Sequence, residues 1–458
     1  MTTSEMGATI FALGVLLAST QLIGYWFERL RQPRLVGEIL TGILLGPFVL
    51  GHFAPSFSEA IFGIPNETNK TDDILGFIFW FGLLMLMFIS GSKARRVLGQ
   101  ENRKQTAWLL SVGTPLPFFL VLTLGMLSIL PIDSLVGPAG QKTSTLLVLA
   151  IAVAVSSIPV ISRIFYDLKI LHTRFASLIL GSAVIEDIIL WGVLAIASAL
   201  ASSATLAQQH VLSNMTSHIG ATLIYVTIAL FVAPHLLKKF HVSRWNLFHQ
   251  SSALAYVILV LFAYIGIATV LEVNLIFAAF LAGFGIIGGI EGTERARFAK
   301  VFDSIEHFSA SVFIPIYFTL VGYKLVFGTA FSITLLVIFI IGSSLLALLS
   351  VGLGAKMAGF KGLDILNIAI TTNARGGPGI VLASVAYDAG IISASFYTTL
   401  VLSAVFTSQI AGVWLRFVLS KGWPLLSTNP EDRQEVEVVS EELPQTRPAT
   451  TPANAVIR

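Results

Sequence analysis

Apolar runs about as long as a membrane is thick recur along almost the whole chain, and they constrain its fold most. A helix that crosses a bilayer needs about 20 mostly apolar residues. Thirteen segments have this character, and they lie near 6–27, 34–53, 74–92, 106–130, 144–166, 174–201, 216–237, 251–271, 274–290, 304–323, 329–354, 362–386 and 393–419. Charged residues make up only 12 % of the chain, against roughly 25 % in a typical soluble domain. The sequence therefore predicts an all-α, multi-pass membrane domain over residues 1–422.

Lysine and arginine are concentrated in every second loop. The loops after the odd-numbered segments hold Arg29, Arg31 and Arg34, then Lys93, Arg95, Arg96, Arg103 and Lys104, then Lys169 and Arg174, then Lys238, Lys239 and Arg244, then Arg295, Arg297 and Lys300, and finally Lys356 and Lys361. The opposite loops hold only Lys70, Lys142 and Lys324. Because cytoplasmic loops are rich in these residues, we expect the N-terminus outside and the C-terminus in the cytoplasm. Residues 423–458 are polar and acidic, so we expect a disordered cytoplasmic tail.

Several classes of chemistry have no support in the residues. The chain has no cysteine, which excludes disulfides and thiolate metal sites. No histidine or acidic spacing indicates a transition-metal site, and the phosphate loops, dinucleotide fingerprints and catalytic triads of enzymes are missing. The net charge of +3 gives no indication of nucleic-acid binding. We therefore expect no enzymatic activity, no covalent cofactor and no nucleic-acid partner.

Two of the segments carry residues that interrupt helices. Segment 5 contains Pro159, which removes a backbone donor and clashes with the preceding turn. Segment 12 contains Asn373, Gly376, Gly377 and Pro378 close together, a run that a lipid-facing helix does not tolerate because the freed backbone groups need partners. Transporters place such broken helices at their substrate site.

The positions of the two interrupted segments match. Segment 5 is the fifth of the first six, and segment 12 is the fifth of the last six if segment 7, near 216–237, is a linker helix. Because a single linker helix crosses the membrane once, the second set of six segments runs through the membrane in the opposite direction to the first. The pattern predicts two inverted six-helix repeats whose broken helices cross at mid-membrane. The alternative, that proline and glycine are simply frequent in membrane helices, does not explain the matching positions.

Segment 6 carries two adjacent carboxylates, Glu186 and Asp187, about a dozen residues from its start. A charge inside the bilayer is costly and therefore indicates function. Neighbouring carboxylates repel one another and lose hydration, and both effects favour a bound proton. Such a site can hold a proton or a hard monovalent cation in turn. The alternative is an ion pair with an arginine that only joins two helices.

Three further charged residues lie in or near the predicted membrane segments. Arg375, within segment 12, would neutralise part of the acidic site, orient the unwound backbone or serve a purely structural role. Glu38 lies near the predicted cytoplasmic face, where a partner such as Arg163 or a helix terminus is as plausible as a role in transport. Arg163 follows the segment 5 break and is interpreted as a structural or gate residue.

Five stretches together resemble a known family. Residues 33–47 are very similar to its second span, residues 156–163 to its unwound helix and Glu186-Asp187 to its acidic pair, while residues 315–318 and 373–376 match later spans. On these stretches the chain resembles the monovalent cation:proton antiporter superfamily, in the branch with Kef-type potassium efflux systems, bacterial sodium/proton antiporters and plant cation/proton exchangers. The resemblance covers roughly residues 8–420.

The resemblance implies a homodimer in a bacterial inner or plasma membrane. It implies a dimer scaffold, about 6–92 and 251–323, and a moving core, about 106–201 and 329–419, that carries its ion in an elevator-like motion. Asp187 would be the principal ligand of Na⁺ or K⁺, assisted by Ser157 and Thr372. Among the departures from the family, Glu186 is longer than the usual Asp or Asn, and Ser343 or Ser344 of segment 11 occupies the place where many electrogenic relatives carry a lysine.

The sequence therefore favours exchange of Na⁺ or K⁺ for H⁺, with Asp187 as the binding residue, Glu186 sharing the proton load and Arg375 offsetting charge. Three alternatives remain: an organic-anion symporter on a related inverted-repeat fold, a non-transporting sensor on a transporter scaffold and an ion channel. Arg375 could bind an organic carboxylate, although Glu186 and Asp187 would repel it. A channel would pass current without a coupled proton flux.

Overall fold

The structure, a computed structural model, describes most of the 458 residues of the chain. The described residues are 3–30, 32–62, 70–97, 103–171, 173–205, 220–242, 251–288, 290, 294–328 and 331–427. Over these ranges the chain forms helices and the turns that join them, with one isolated antiparallel bridge between Val136 and Ile392. Helices suit a chain in lipid because they satisfy their own backbone hydrogen bonds.

The described residues of the first half form ten α-helices and a short 3₁₀ turn. They are α1 (Thr3–Arg29), α2 (Arg34–Leu45), α3 (Leu50–Phe53), α4 (Pro55–Phe62), α5 (Lys70–Val97), α6 (Arg103–Gly113), α7 (Pro115–Met126), the 3₁₀ turn Ile132–Ser134, α8 (Lys142–Ala154), α9 (Ile158–Asp167) and α10 (Arg174–Thr205). The turns at proline break several predicted spans into two helices, since proline starts a helix well but cannot continue one.

The described residues of the second half also form helices joined by short turns. Its helices are α11 (Gly220–Phe240, with a π-helical turn at Ile228–Val232), α12 (Ala253–Val270), α13 (Leu275–Gly288), α14 (Glu294–Ser311), α15 (Phe313–Tyr323), α16 (Ile333–Met357), α17 (Leu363–Thr372), α18 (Gly376–Asp388) and α19 (Ala394–Ser420).

Ten stretches of the described chain are helical, long and apolar enough to cross a membrane. They overlap ten of the thirteen predicted segments, which confirms the all-helical membrane architecture. The remaining three predicted segments, 5, 9 and 12, correspond to the helix pair α8–α9, to the short helix α13 and to the helix pair α17–α18. The full count of thirteen spans therefore stays a prediction. The start of segment 7, before residue 220, lies outside the described residues.

Helices α2 and α15 cross in close backbone contact. A Cβ atom on Gly42 would lie 1.8 Å from the carbonyl oxygen of Thr319, and one on Gly322 would lie 2.0 Å from that of Ile39. Only a residue without a side chain fits at either position, as in other membrane-helix pairs built on small residues. These two helices therefore pack as one unit.

A second crossing of the same kind joins α5 and α13. A Cβ atom on Gly91 would lie 1.9 Å from the carbonyl oxygen of Phe280, and one on Gly283 would lie 2.0 Å from that of Phe88. All four helices of the two crossings belong to the part of the chain that the sequence assigns to the scaffold.

The chain continues to pack beyond the last helix. Leu425 and Leu426 are buried, the backbone carbonyl of Leu425 accepts a hydrogen bond from Asn367 (3.0 Å), and the backbone N–H of Ser427 donates to Asp364 (2.8 Å). The packed part of the chain therefore extends five residues past the predicted boundary at 422, because two leucines and a buried carboxylate hold it to α17. The rest of the predicted tail, 428–458, lies outside the described residues.

Candidate functional site

Each of the two interrupted segments forms two helices, and the break between them lies at or beside the residues that the sequence singles out. The first break spans residues 155–157, and Pro159 is the second residue of α9. The second spans residues 373–375, so that Asn373 lies in the break while Gly376, Gly377 and Pro378 form the first turn of α18. Proline is tolerated in a first helical turn because those N–H groups have no partner in the helix.

The two breaks lie against each other. A Cβ atom on Gly376 would lie 2.7 Å from Ser157 Oγ and 2.7 Å from Val160 Cβ. Gly376 also has a positive φ of +30°, a backbone conformation that residues with side chains rarely adopt. The crossing of the two broken helices therefore requires glycine at this position.

Glu186 faces the first break from α10. Its side chain is buried, one carboxyl oxygen accepts a hydrogen bond from Thr114 Oγ1 (2.5 Å), and the other accepts one from Ser156 Oγ. Both partners are neutral hydroxyls rather than the arginine that a helix-joining ion pair would need. Sequence reasoning did not single out Thr114 or Ser156, although the run Gly113-Thr114-Pro115 marks a helix break in segment 4.

Asp187 follows on the same helix and is 1 % exposed. Its Oδ1 atom accepts no hydrogen bond from the residues that the structure describes. Burying a carboxylate oxygen without a partner costs free energy. A group that stays buried at such a cost, in the middle of a membrane helix, indicates function.

A small cavity of about 10 Å³ lies beside Glu186, roughly the space of one water molecule. Its polar lining consists of Ser156, Glu186, Thr372 and Asn373. The hydroxyl of Thr372 donates to the carbonyl of Ile368 in its own helix (2.9 Å), which leaves its oxygen lone pairs free to face the cavity. Thus Glu186, Thr372 and Asn373, three of the predicted site residues, share one space.

Two other predicted site residues lie outside that lining. Ser157 is fully buried at the crossing of the breaks, where its Oγ accepts a hydrogen bond from the backbone N–H of Val160 (3.4 Å). Asp187 is next to Glu186 in the chain but does not line the cavity. Glu186 therefore lies on the wall of the cavity, whereas Asp187 and Ser157 are buried outside its lining.

Arg375 is 2 % exposed, and its hydrogen-bond partners among the described residues are neutral. It donates to Ser343 Oγ (2.7 Å), to Asn373 Oδ1 (3.4 Å) and to the carbonyl of Val153 at the end of α8 (3.5 Å). Its guanidinium also lies over the ring of Phe339, 5.5 Å from the centroid, a favourable cation–π geometry. These contacts favour the interpretation that Arg375 orients the unwound backbone.

The serines of segment 11 contact the second break. Ser343 accepts from Arg375 as described, and Ser344 Oγ accepts a hydrogen bond from Asn373 Nδ2 (3.0 Å). Ser343 and Ser344 of α16 thus both bind residues of segment 12.

Glu38 contacts residues of α2 and α15 rather than the residues around Glu186. Its carboxylate pairs with Arg34 one turn earlier (3.0 Å), and its backbone carbonyl accepts from Thr319 Oγ1 on α15 (3.2 Å). The Glu38 carboxylate therefore forms an ion pair within α2, and only its backbone carbonyl joins α2 to α15. The side chain of Arg163 lies outside the described part of the structure.

Known proteins are similar to this chain over most of its length. The chain matches the family described as "Sodium/hydrogen exchanger, transmembrane" over residues 15–421. It is 22 % identical to the Na⁺/H⁺-K⁺ antiporter GerN of Bacillus cereus over 89 % of this chain and 95 % of that protein. It is 24 % identical to the cation/H⁺ antiporter 18 of Arabidopsis thaliana over 88 % of this chain, but spans only 48 % of that longer relative.

A solved structure has the same fold. The sodium proton antiporter MjNhaP1 from Methanocaldococcus jannaschii at pH 8 superimposes with a TM-score of 0.57 over 96 % of this chain and 99 % of its own, at 14 % sequence identity. The family match covers most of the chain and includes both helix breaks and the Glu186–Asp187 pair. The chain therefore belongs to the transmembrane sodium/hydrogen exchanger family, whose curated relatives here are cation/proton antiporters.

Proposed function

We propose that this protein exchanges a monovalent cation, Na⁺ or K⁺, for H⁺ across a membrane. The observation that carries the proposal is the pair of adjacent buried carboxylates, Glu186 and Asp187, beside the crossing of two broken helices. Family membership supports the reaction class. The relatives include antiporters named for Na⁺/H⁺-K⁺ exchange and for K⁺/H⁺ exchange, so both ions are candidate substrates.

The exchange follows from competition for one carboxylate. A deprotonated Asp187 attracts a cation, and a protonated one has lost that charge. The Ser157 and Thr372 hydroxyls and the carbonyls at the ends of α8 and α17 would complete the site with oxygen atoms, which suit a hard monovalent ion, since broken transporter helices supply such carbonyls. Glu186 shares the proton load from the cavity wall, and Arg375 holds the unwound backbone that carries these oxygens.

Alternating access by an elevator motion is the second part of the proposal. The scaffold (6–92 and 251–323) would stay fixed in a homodimer while the core (106–201 and 329–419) moves with its ion. The glycine crossings support this division. In two inverted repeats separated by one linker, segment 2 corresponds to segment 9 and segment 3 to segment 10. The α2–α15 crossing, which joins segments 2 and 10, is then the counterpart of the α13–α5 crossing, which joins segments 9 and 3.

The membrane orientation also remains part of the proposal. The alternation of lysine and arginine between loops supports an outside N-terminus and a cytoplasmic C-terminus. A bacterial inner or plasma membrane is the setting that the family resemblance implies, and the cargo ions are substrates rather than bound cofactors.

Proton flux in sealed proteoliposomes tests the reaction. Vesicles with an imposed pH gradient and a pH-sensitive dye receive Na⁺, K⁺ or Li⁺, with wild type and Asp187→Asn compared at equal protein content. We expect cation-dependent dissipation of the gradient by wild type and none by Asp187→Asn. The control is Asp133→Asn, the same change at an exposed loop carboxylate paired with Lys142, and it should behave as wild type. Current without coupled proton movement would indicate a channel, and full exchange by Asp187→Asn would overturn the proposal.

A further inference from the structure

Thr114 lies at a proline-bounded turn in the fourth predicted segment, between α6 and α7. It is the N-cap residue of α7, a position where a threonine oxygen ordinarily accepts a hydrogen bond from the N–H of the second or third helical residue. Here its side chain makes no such bond. Pro117, the third residue of α7, has no N–H to donate, and the backbone of Thr114 is helical (φ −91°, ψ −49°) rather than extended as in a usual capping residue. The hydroxyl of Thr114 is thus not used for capping.

The hydroxyl of Thr114 binds a side chain on another helix instead. Thr114 is buried, and its Oγ1 donates to Glu186 Oε1 at 2.5 Å. Ser156, in the first helix break, donates to the other carboxyl oxygen. Glu186 on α10 is therefore held between two hydroxyls from two different helix interruptions, on the wall of the cavity.

Hydroxyls differ from cationic partners in what they allow the carboxyl to do. A hydroxyl can donate to a carboxylate, and it can equally accept from a protonated carboxyl. An arginine or lysine partner can only donate, and would favour the charged state alone. The other charged group next to Glu186 is Asp187 on the same helix, and both hydrogen-bond partners of Glu186 are neutral. The two hydroxyls can thus keep the carboxyl of Glu186 in place whether or not it carries a proton.

We propose that Thr114 is a positioning residue for exchange, which fixes the Glu186 carboxyl on the cavity wall in both protonation states and thereby sets the affinity for the cation. The inference rests on the proposed function and extends it to a residue outside the acidic pair. A free Glu186 side chain would otherwise be able to turn away from the cavity or toward Asp187. Holding it leaves the neighbouring aspartate, whose Oδ1 has no partner among the described residues, as the carboxylate that binds cargo.

The test is the apparent KM for the cation and the maximal exchange rate in the proteoliposome assay. Thr114→Val keeps the shape of the side chain and removes the hydroxyl. We expect it to raise the KM about tenfold, equivalent to about 1.4 kcal/mol, while Thr114→Ser restores the KM to within about twofold of wild type. Thr123→Val is the matched control, because Thr123 lies exposed on α7 and its hydroxyl bonds only to the carbonyl of Phe119 one turn away.

A double-variant cycle separates positioning from a structural role. On a Glu186→Gln background, Thr114→Val should raise the KM much less than on the wild-type background, since the charged group that it positions is gone. A merely structural role would give the same increase on both backgrounds, and that result would overturn the inference, as would a wild-type KM for Thr114→Val.

The outcomes also separate this inference from the proposed function. Wild-type vesicles without cation-dependent proton flux would refute both. Normal wild-type exchange with an unaltered Thr114→Val would refute the inference alone. If Thr114→Val is not recovered as folded protein, Thr114→Ala removes the same hydroxyl in a smaller side chain and decides the question, with a raised KM expected and a wild-type KM contradicting the inference.

Discussion

Replacing Gly376 with alanine should damage both stability and exchange, whereas the same change at Gly377 should not. Gly376 has a φ of +30°, and a Cβ there would lie 2.3 Å from Val160 Cγ2 and 2.7 Å from Val160 Cβ. The Cβ of Val160 does not move when its side chain rotates, so the two broken helices would have to separate. At Gly377, no atom lies within 4 Å of an added Cβ.

The expected difference can be estimated from these contacts. A left-handed backbone costs a residue with a side chain about 1–2 kcal/mol, and overpacking a buried site costs about 1–3 kcal/mol. Gly376→Ala should therefore lower the free energy of unfolding by about 2–5 kcal/mol. Gly377→Ala should be neutral or stabilising by up to about 1 kcal/mol, because alanine favours a helix over glycine.

Thermal unfolding of the purified protein in detergent compares the two variants under one set of conditions, and proteoliposome exchange follows the functional effect. Gly376→Ala should melt below wild type and exchange more slowly, since Ser157 would be displaced with Val160. Gly377→Ala should match wild type in both measurements. Equal stability and equal exchange in the two variants would refute the requirement for glycine at the crossing, because the two positions differ in the space around an added Cβ and in φ.

Two further contacts yield predictions. Lys324, at the end of α15 in the proposed scaffold, pairs with Asp388 at the end of α18 in the proposed core (2.9 Å). In this cysteine-free chain, replacing both with cysteine and joining them with a short thiol-specific reagent should stop exchange and trap the core, whereas full exchange after verified cross-linking would contradict an elevator motion. Ser343→Ala removes an acceptor of the buried Arg375 and should destabilise the protein by about 1.5–3 kcal/mol in thermal unfolding. Ser350→Ala, a buried serine of the same helix that bonds only within it, should cost less, and an equal loss would contradict the assigned contact.

The membrane architecture could be predicted well from the sequence because lipid enforces it. Runs of about 20 apolar residues have few alternatives to a helix in a bilayer, so most predicted spans coincide with helices. The breaks in segments 5 and 12 were also predictable, since Pro159 and the Gly376-Gly377-Pro378 run have direct backbone consequences. The exact limits of the breaks were not, because they depend on where the following helix begins.

Long-range partners could not be predicted from local pattern. Thr114 lies 72 positions before Glu186 in the chain, and its neighbours indicate only a proline turn. Arg375 was expected to offset the acidic site, to orient the backbone or to be structural, and only the folded arrangement brings it to Ser343 and the carbonyl of Val153. Segment 11 was noted for the serines in place of a lysine, but their contact with segment 12 depends on how two helices cross.

In the proposed exchange, one carboxylate, Asp187, binds the cation and the proton in turn. The most direct test measures protons released when Na⁺ or K⁺ is added to the purified, weakly buffered protein in detergent, for wild type and Asp187→Asn. Cation binding should displace protons from wild type, in an amount that saturates with bound cation, and Asp187→Asn should release none. Equal proton release by the two proteins would contradict competition between cation and proton at Asp187.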